Sequence, residues 1–238
     1  MRTLIVNQYL RKPSIVTDGL VLHLDAGNTA SYPGSGTTWY DLSGNQKDAA
    51  IVGGITFEQF PKRLTSDGAT GYINLGTATQ LNWSVVRTAS FWITFNTISG
   101  FLFGAWDLVG GVDQRTMHIF LNPVGSIRQY WSPNGVNDGA IIAPPVNTNT
   151  WYLVTSVFRN GVRELWINDS LAASIAQATI YTGATTSRFG IFALLGRDVD
   201  TPAFFTNASV SSVFLYNRPL EQNEIAYNFN VSRNLFDI

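Results

Sequence analysis

The chain has 238 residues, a formal net charge of −1 and a pI near 6.1, and charged residues make up 13% of it. That is well below the roughly 25% usual in globular proteins, and no basic stripe stands out, which argues against electrostatic recruitment of nucleic acid. The absence of cysteine removes disulfides and the commonest zinc sites, and no apolar stretch approaches the ~20 residues that span a bilayer, so neither nucleic acid nor membrane is expected as a partner. What remains is a chain long enough to bury a core without staples. Its 13% aromatics and 21 glycines suit many short strands joined by tight turns.

In chain order, residues 1–18 read as an arm. Leu4, Ile5, Val6, Tyr9 and Leu10 are its apolar anchors, Pro13 ends any helix, and Asp18-Gly19 marks a turn. The apolar run breaks at Asn7, too short for the core of an export signal. The arm has two possible roles: an edge strand of the chain's own sheet, or a segment that docks on a neighbouring subunit. Residues 20–25 alternate, with Leu20, Leu22 and Leu24 on one face, and residues 26–50 read as loop. Residues 90–95 form a strand with Phe91, Ile93 and Phe95 inward, residues 117–121 another, and residues 151–158 a long strand with large side chains on both faces. Asn160-Gly161 separates this strand from residues 163–168. Asn-Gly between two such runs is a strong hairpin signal, because both turn residues take φ > 0. Residues 189–195 and 210–216 complete the strands. One short helix is predicted over 220–229, where Glu221 and Glu224 have capping-box spacing and Leu220 and Ile225 have that of a hydrophobic staple. The fold class is therefore all-β, an antiparallel two-sheet sandwich with one short C-terminal helix. Residues 19–238 form one domain behind the 1–18 arm.

Particular runs carry a resemblance. GLVLHLDAGN at 19–28 and SYPGSGTTWYDLSGN at 31–45 resemble the opening of laminin-G-like, concanavalin A-like lectin/glucanase domains in tailed-phage virion structural proteins. Ser66-Asp67-Gly68 through Tyr72-Ile73 is similar to that family's next strand entry, with Ser66 where Phe is usual. Trp151 and Leu165-Trp166-Ile167-Asn168-Asp169 are similar to a later hairpin. Val213-Phe214-Leu215-Tyr216-Asn217-Arg218-Pro219-Leu220, with Glu224-Ile225, is similar to the closing element. The resemblance implies a jelly roll of two antiparallel sheets. It also implies a non-catalytic virion structural protein: a capsid decoration or cement protein on the outer surface of a phage head, assembled in the host cytoplasm. Its partners would be the major capsid protein or other virion subunits, with self-association as a further option.

Fold does not give function, so the site residues must. Glycoside cleavage needs two carboxylates flanking the scissile bond, and glucanases of this fold carry Glu-x-Asp-x-x-Glu on one strand. The four glutamates here are Glu58, Glu164, Glu221 and Glu224, and none begins that motif. No catalytic residue is assigned, no enzyme activity is expected, and no cofactor is implied. Asp198 and Asp200 have the alternate spacing of a weak calcium site, but the full Asp-x-Asp-x-Asp-Gly loop is missing and the plainer reading is a solvated turn. His23 and His118 read as packing residues of strands, and Asp25, Asp41 and Asp67 as caps of turn amides. The aromatic stretches Trp106-Asp107 and Tyr130-Trp131, with Asn134, have the local composition of a glycan-binding site beside turns, although core packing accounts for such rings as well. Trp39 and Trp83, next to loops, are candidate interface anchors. Against the virion structural role stands an alternative, a carbohydrate-binding adhesin of a phage fibre or spike, with surface glycans as ligands.

Overall fold

The computed structural model describes residues 14–109, 112–136, 139–183, 186–196, 201–236 and 238. Within these residues two eight-stranded antiparallel sheets face each other. Sheet A comprises β1 (Leu20–Asp25), β4 (Ile55–Gln59), β5 (Lys62–Ser66), β7 (Thr88–Phe95), β12 (Trp151–Arg159), β13 (Val162–Ile167), β14 (Ser170–Ala176) and β16 (Ala208–Tyr216). Sheet B comprises β2 (Thr38–Trp39), β3 (Ala49–Val52), β6 (Tyr72–Thr77), β8 (Gly100–Val109), β9 (Val112–Leu121), β10 (Ser126–Trp131), β11 (Ala140–Pro145) and β15 (Arg188–Ile191). Sheet A runs β14-β13-β12-β7-β16-β5-β4, and sheet B runs β11-β10-β9-β8-β15-β6-β3-β2. One edge of β16 pairs with β7 from Ala208 to Tyr216. Its other edge is shared between β5, at Ser209 and Val210, and β1, from Ser212 to Tyr216.

The period-two pattern fills the space between the sheets. Phe91, Ile93 and Phe95 of β7 join Met117, Ile119, Leu121, Ile127 and Trp131 of sheet B in one buried cluster. Sheet A is covered on its other face as well. There Trp92, Trp151, Leu153, Val157, Trp166, Phe214 and Tyr216 form a second cluster with Leu220, Ile225, Phe229 and Phe236. The last three come from helix α2 (Gln222–Ser232) and the 3-10 turn that follows it. The Trp92 ring stacks 5.7 Å from Phe229 and 4.3 Å from Phe236. This double coverage is why every residue of β7 and β16 is buried. The helix begins as expected, with the reciprocal Glu221/Glu224 capping box in place and Leu220 and Ile225 buried. Arg218 fixes the entry by donating to both Glu224 oxygens at 2.6 and 2.7 Å. The Asn160-Gly161 hairpin also forms, both residues having φ > 0, at 48° and 73°.

Several expectations are corrected. A bulge between Leu20 and Leu22 breaks the alternation of β1, so Leu22 and Leu24 lie between the sheets while Leu20 packs against the helix-covered cluster. The strand expected over 189–195 ends at Ile191, because Phe192 turns the chain at φ 69°. The stretch 26–50 contains β2 and the start of β3, and a one-turn helix, α1 (Ala78–Leu81), starts at a Thr77/Gln80 capping box. Trp39 and Trp83 are fully enclosed core residues rather than interface anchors. The anchors Leu4, Ile5, Val6, Tyr9 and Leu10, and the pair Asp198 and Asp200, lie outside the described residues. Ile15 and Val16, counted with the arm by sequence, pack against the domain itself. The Val16 N–H donates to Asn228 Oδ1 at 2.8 Å, and the Tyr216 hydroxyl donates to the Val16 carbonyl at 3.1 Å.

The α2 cover makes Phe229 a structural keystone of sheet A. Phe229→Ala should lower unfolding free energy by about 3–5 kcal/mol, the usual cost of emptying a buried aromatic site. Urea denaturation checks this, and a loss below about 1 kcal/mol would mean that the helix is not integral to the sandwich.

Candidate functional site

On the outer face of sheet B a cleft of about 350 Å³ opens over β8, β9 and β10, lined by Trp106, Arg115, His118, Phe120, Arg128 and Tyr130 among others. Alternation produces it. Met117, Ile119 and Leu121 of β9 and Ile127 and Trp131 of β10 point into the core. Their neighbours His118, Phe120, Arg128 and Tyr130 therefore project on the opposite face. The register sets Tyr130 opposite His118 and Arg128 opposite Phe120. Two bulges in β8 adjust the third strand, and Gly104 sits between them at φ 129°. A Cβ at Gly104 would lie 2.0 Å from the Met117 carbonyl oxygen, so the close approach of β8 to β9 requires glycine.

The rings form an ordered row. His118 lies between Tyr130, at 4.6 Å and 19°, and Trp106, at 5.6 Å and 16°. The Arg115 guanidinium lies 4.2 Å over the Trp106 ring, a cation–π contact. Phe120 meets His118 edge-on and also meets Phe101 and Phe204 edge-on. Phe204, 48% exposed, forms one wall and holds a left-handed φ of 56°. Its carbonyl accepts the Phe101 N–H at 3.0 Å, and the Thr206 hydroxyl donates to the Phe101 carbonyl at 2.7 Å. Strain of this kind persists only where the surroundings over-determine it.

Charge in the cleft is one-sided. Among the described residues, no acidic side chain lines it. His118, 2% exposed, is held neutral: burial, and then the cations Arg115 and Arg163, push its pKa down to about 3. Arg163 is itself 1% exposed and reaches from β13 to donate to the Gly139 carbonyl. Glutamates elsewhere are committed to arginines. Glu58 pairs with Arg63, Glu164 and Glu221 with Arg159, and Glu224 with Arg218. Asp67 caps the amides of Ala69, Thr70 and Gly71, which hold its carboxyl well below the usual range. Asp25 and Asp41 cap turn amides as well.

The residues proposed from sequence part company here. Trp106 and Tyr130 come together in the cleft, Trp106 from within β8 and Tyr130 from the end of β10, beside the turn that follows. Trp131 faces the other way, 0% exposed, against Trp83 and Phe158. Asp107 is buried beside Ser187 and Arg188, and burial raises its pKa. Asn134 is exposed in a turn, accepting the Val136 N–H at 3.0 Å. Sequence reading missed Arg115, Phe120, Arg128 and Phe204. Alternation could have paired Phe120 with His118 and Arg128 with Tyr130, but not the two strands with each other.

Comparison with known proteins agrees with this architecture. The model of the concanavalin A-like lectin/glucanases superfamily (laminin G type) matches residues 67–226, and the chain belongs to this family. No curated protein matches the chain by sequence. Among solved structures, a Trypanosoma rangeli sialidase in complex with sialic acid superposes with a TM-score of 0.69 at 20% identity, over 94% of this chain and 34% of that one. The binding domain of botulinum neurotoxin DC in complex with rat synaptotagmin II gives 0.67 at 14% identity, over 90% and 52%. The same domain in complex with SialylT gives 0.66 at 15% identity, again over 90% and 52%. The chain thus spans about a third of the sialidase and half of the toxin domain, and the likeness is one of fold.

The enclosure of His118 has a pH signature. An unfolded histidine titrates near 6.5 and the folded one near 3, so the unfolded chain takes up the proton first. The contribution of the neutral ring to stability is complete above about pH 6.5 and is lost progressively as the pH falls toward 3. NMR of the imidazole should find His118 neutral at about pH 5, where an ordinary histidine is charged. A midpoint near the ordinary value would mean that the ring is open to water.

Proposed function

We propose that this chain is a non-catalytic binding module whose sheet B cleft takes up a glycan. The observation that carries the proposal is the juxtaposition of Trp106, Phe120 and Tyr130 around a cleft that, among the described residues, no carboxylate lines. Aromatic walls offer rigid apolar area to the C–H face of a sugar ring. The guanidinium and amide donors of Arg115, Arg128 and Asn122 can hold its oxygens. Cleavage would need a pair of carboxylates at the bond, and the described lining residues supply neither. The fold is compatible with this use: a neighbouring toxin binding domain is described in complex with SialylT.

A second reading, a structural part on the outer surface of a phage particle held by capsid or other virion subunits, draws on a different surface. Phe60, at the β4–β5 hairpin tip, is 92% exposed, and Leu235, which lines the same hollow, is 56% exposed. Apolar side chains gathered at such exposure suit a partner surface. Co-purification with intact particles, lost in a Phe60→Ser/Leu235→Ser variant, tests that role.

For the glycan reading, Trp106→Ala and Tyr130→Ala should each weaken binding on a glycan array about tenfold or more, the cost of an aromatic hot spot. No bound glycan should be shortened on incubation with the wild-type protein. Undiminished binding by both variants, or release of sugar, would overturn the proposal.

A further inference from the structure

Arg128 differs from every other arginine among the described residues. Arg63, Arg159 and Arg218 hold carboxylates. Arg87 and Arg163 donate to backbone carbonyls, and Arg233 lies over the Phe229 ring. Arg115 lies over Trp106, and Arg188 has a charge partner in Asp107. Among the described residues the Arg128 guanidinium has neither a hydrogen bond nor an ion pair, and its Nε is shielded from water. Its cross-strand neighbours are Phe120 on one side and Ile142 on the other, so the sheet offers it no anion. A half-shielded guanidinium without a counter-ion is costly to keep. Flanking apolar side chains lower the local dielectric and strengthen its pull on an incoming anion. Arg115 and the buried Arg163 add positive charge beside His118.

We infer that the cleft selects a carboxylated sugar, its carboxylate seated on the Arg128 guanidinium and its ring against Phe120 and Tyr130. This rests on the glycan reading above and narrows it to acidic glycans. The planar fork of an arginine matches the two oxygens of a carboxylate, and the aromatic wall beside it suits a sugar ring. A free anion such as phosphate would leave that wall unused, and an acidic peptide would not need it.

The experiment uses the intact chain and an array of oligosaccharides bearing hexuronic or nonulosonic acids, each beside the same oligosaccharide with its carboxyl groups methyl-esterified. The wild-type protein should bind the free acids about tenfold or more tightly than the esters, a charge-assisted hydrogen bond being worth that much. The preference should weaken as salt is raised. Arg128→Gln should erase the preference, binding acid and ester alike. Arg128→Lys, which keeps the charge and loses the fork, should restore part of it. The thermal midpoint of Arg128→Gln should be no lower than that of the wild type, because no described protein group pairs with this side chain and its unpaired charge is costly to keep. Equal binding of acid and ester overturns the inference and leaves the glycan reading standing. Binding of neither overturns both. A preference that survives in Arg128→Gln places the anion elsewhere and overturns the assignment, as does equal binding of polyglutamate, which would mark a general anion site.

Discussion

The β9–β10 register is the constraint on which the candidate site depends. Tyr130 faces His118 and Arg128 faces Phe120 across that ladder. Side chains alternate with a period of two, so a slip of one residue exchanges the faces of the whole strand. Slipped, β10 would turn Trp131 and Ile127 to the surface and force Arg128 into the core. The buried partners prevent this. Trp131 is held against Trp83 and Phe158, and Trp83 in turn lies 4.2 Å from Phe189. The inward side of the ladder is thus fixed by an aromatic layer, and the outward side inherits its geometry from that layer. Gly104 completes the arrangement, since only a residue without Cβ lets β8 close on β9.

The two sheets divide their tasks by what covers them. Sheet A is sealed on both faces, by sheet B and by the α2 segment, and its central strands are buried along their length. Sheet B keeps an outer face on which half-buried polar and aromatic groups gather. A cation and rings on that face are tolerable because the core beneath is independent of them. Some polar groups tie the two sheets together: the Gln129 amide donates across the sandwich to the Ser156 hydroxyl and the Glu164 carbonyl. Arg163 spans the same gap to Gly139. Such cross-links hold the floor of the cleft at a set height above sheet A.

Membership of the concanavalin A-like family settles the scaffold and leaves the chemistry open. Structures at 20% identity or less share the sandwich, and the ligands of those proteins belong to them. The chemistry of this chain is local: among the described residues, a cleft lined by no acid, a row of three near-parallel rings, and one arginine without a partner. Elsewhere its carboxylates are spent on structure, in the arginine pairs of all four glutamates and the amide caps of Asp25, Asp41 and Asp67.

The sequence by itself determined the all-β class, β1 to the residue, the Asn160-Gly161 hairpin and the capped terminal helix. These features are local. Alternation, φ > 0 turn chemistry and a capping box act over a few residues and can be read from a few residues. Sequence reading also selected Trp106 and Tyr130, but it gave them the same standing as Trp131 and Asp107. Neighbours on a strand have the same composition and opposite fates, and only the sheet's orientation says which one faces water. Leu20 shows the same limit in reverse: a single bulge, invisible in the pattern, moved it to the helix side. The tertiary structure alone decided that Arg128, Arg115 and Phe204, far apart along the chain, border one cleft, and that no described residue supplies Arg128 with a counter-charge. That decision rests on long-range strand pairing, in which residues from β8, β9, β10 and the segment after β15 meet, and no short stretch of sequence encodes such a meeting.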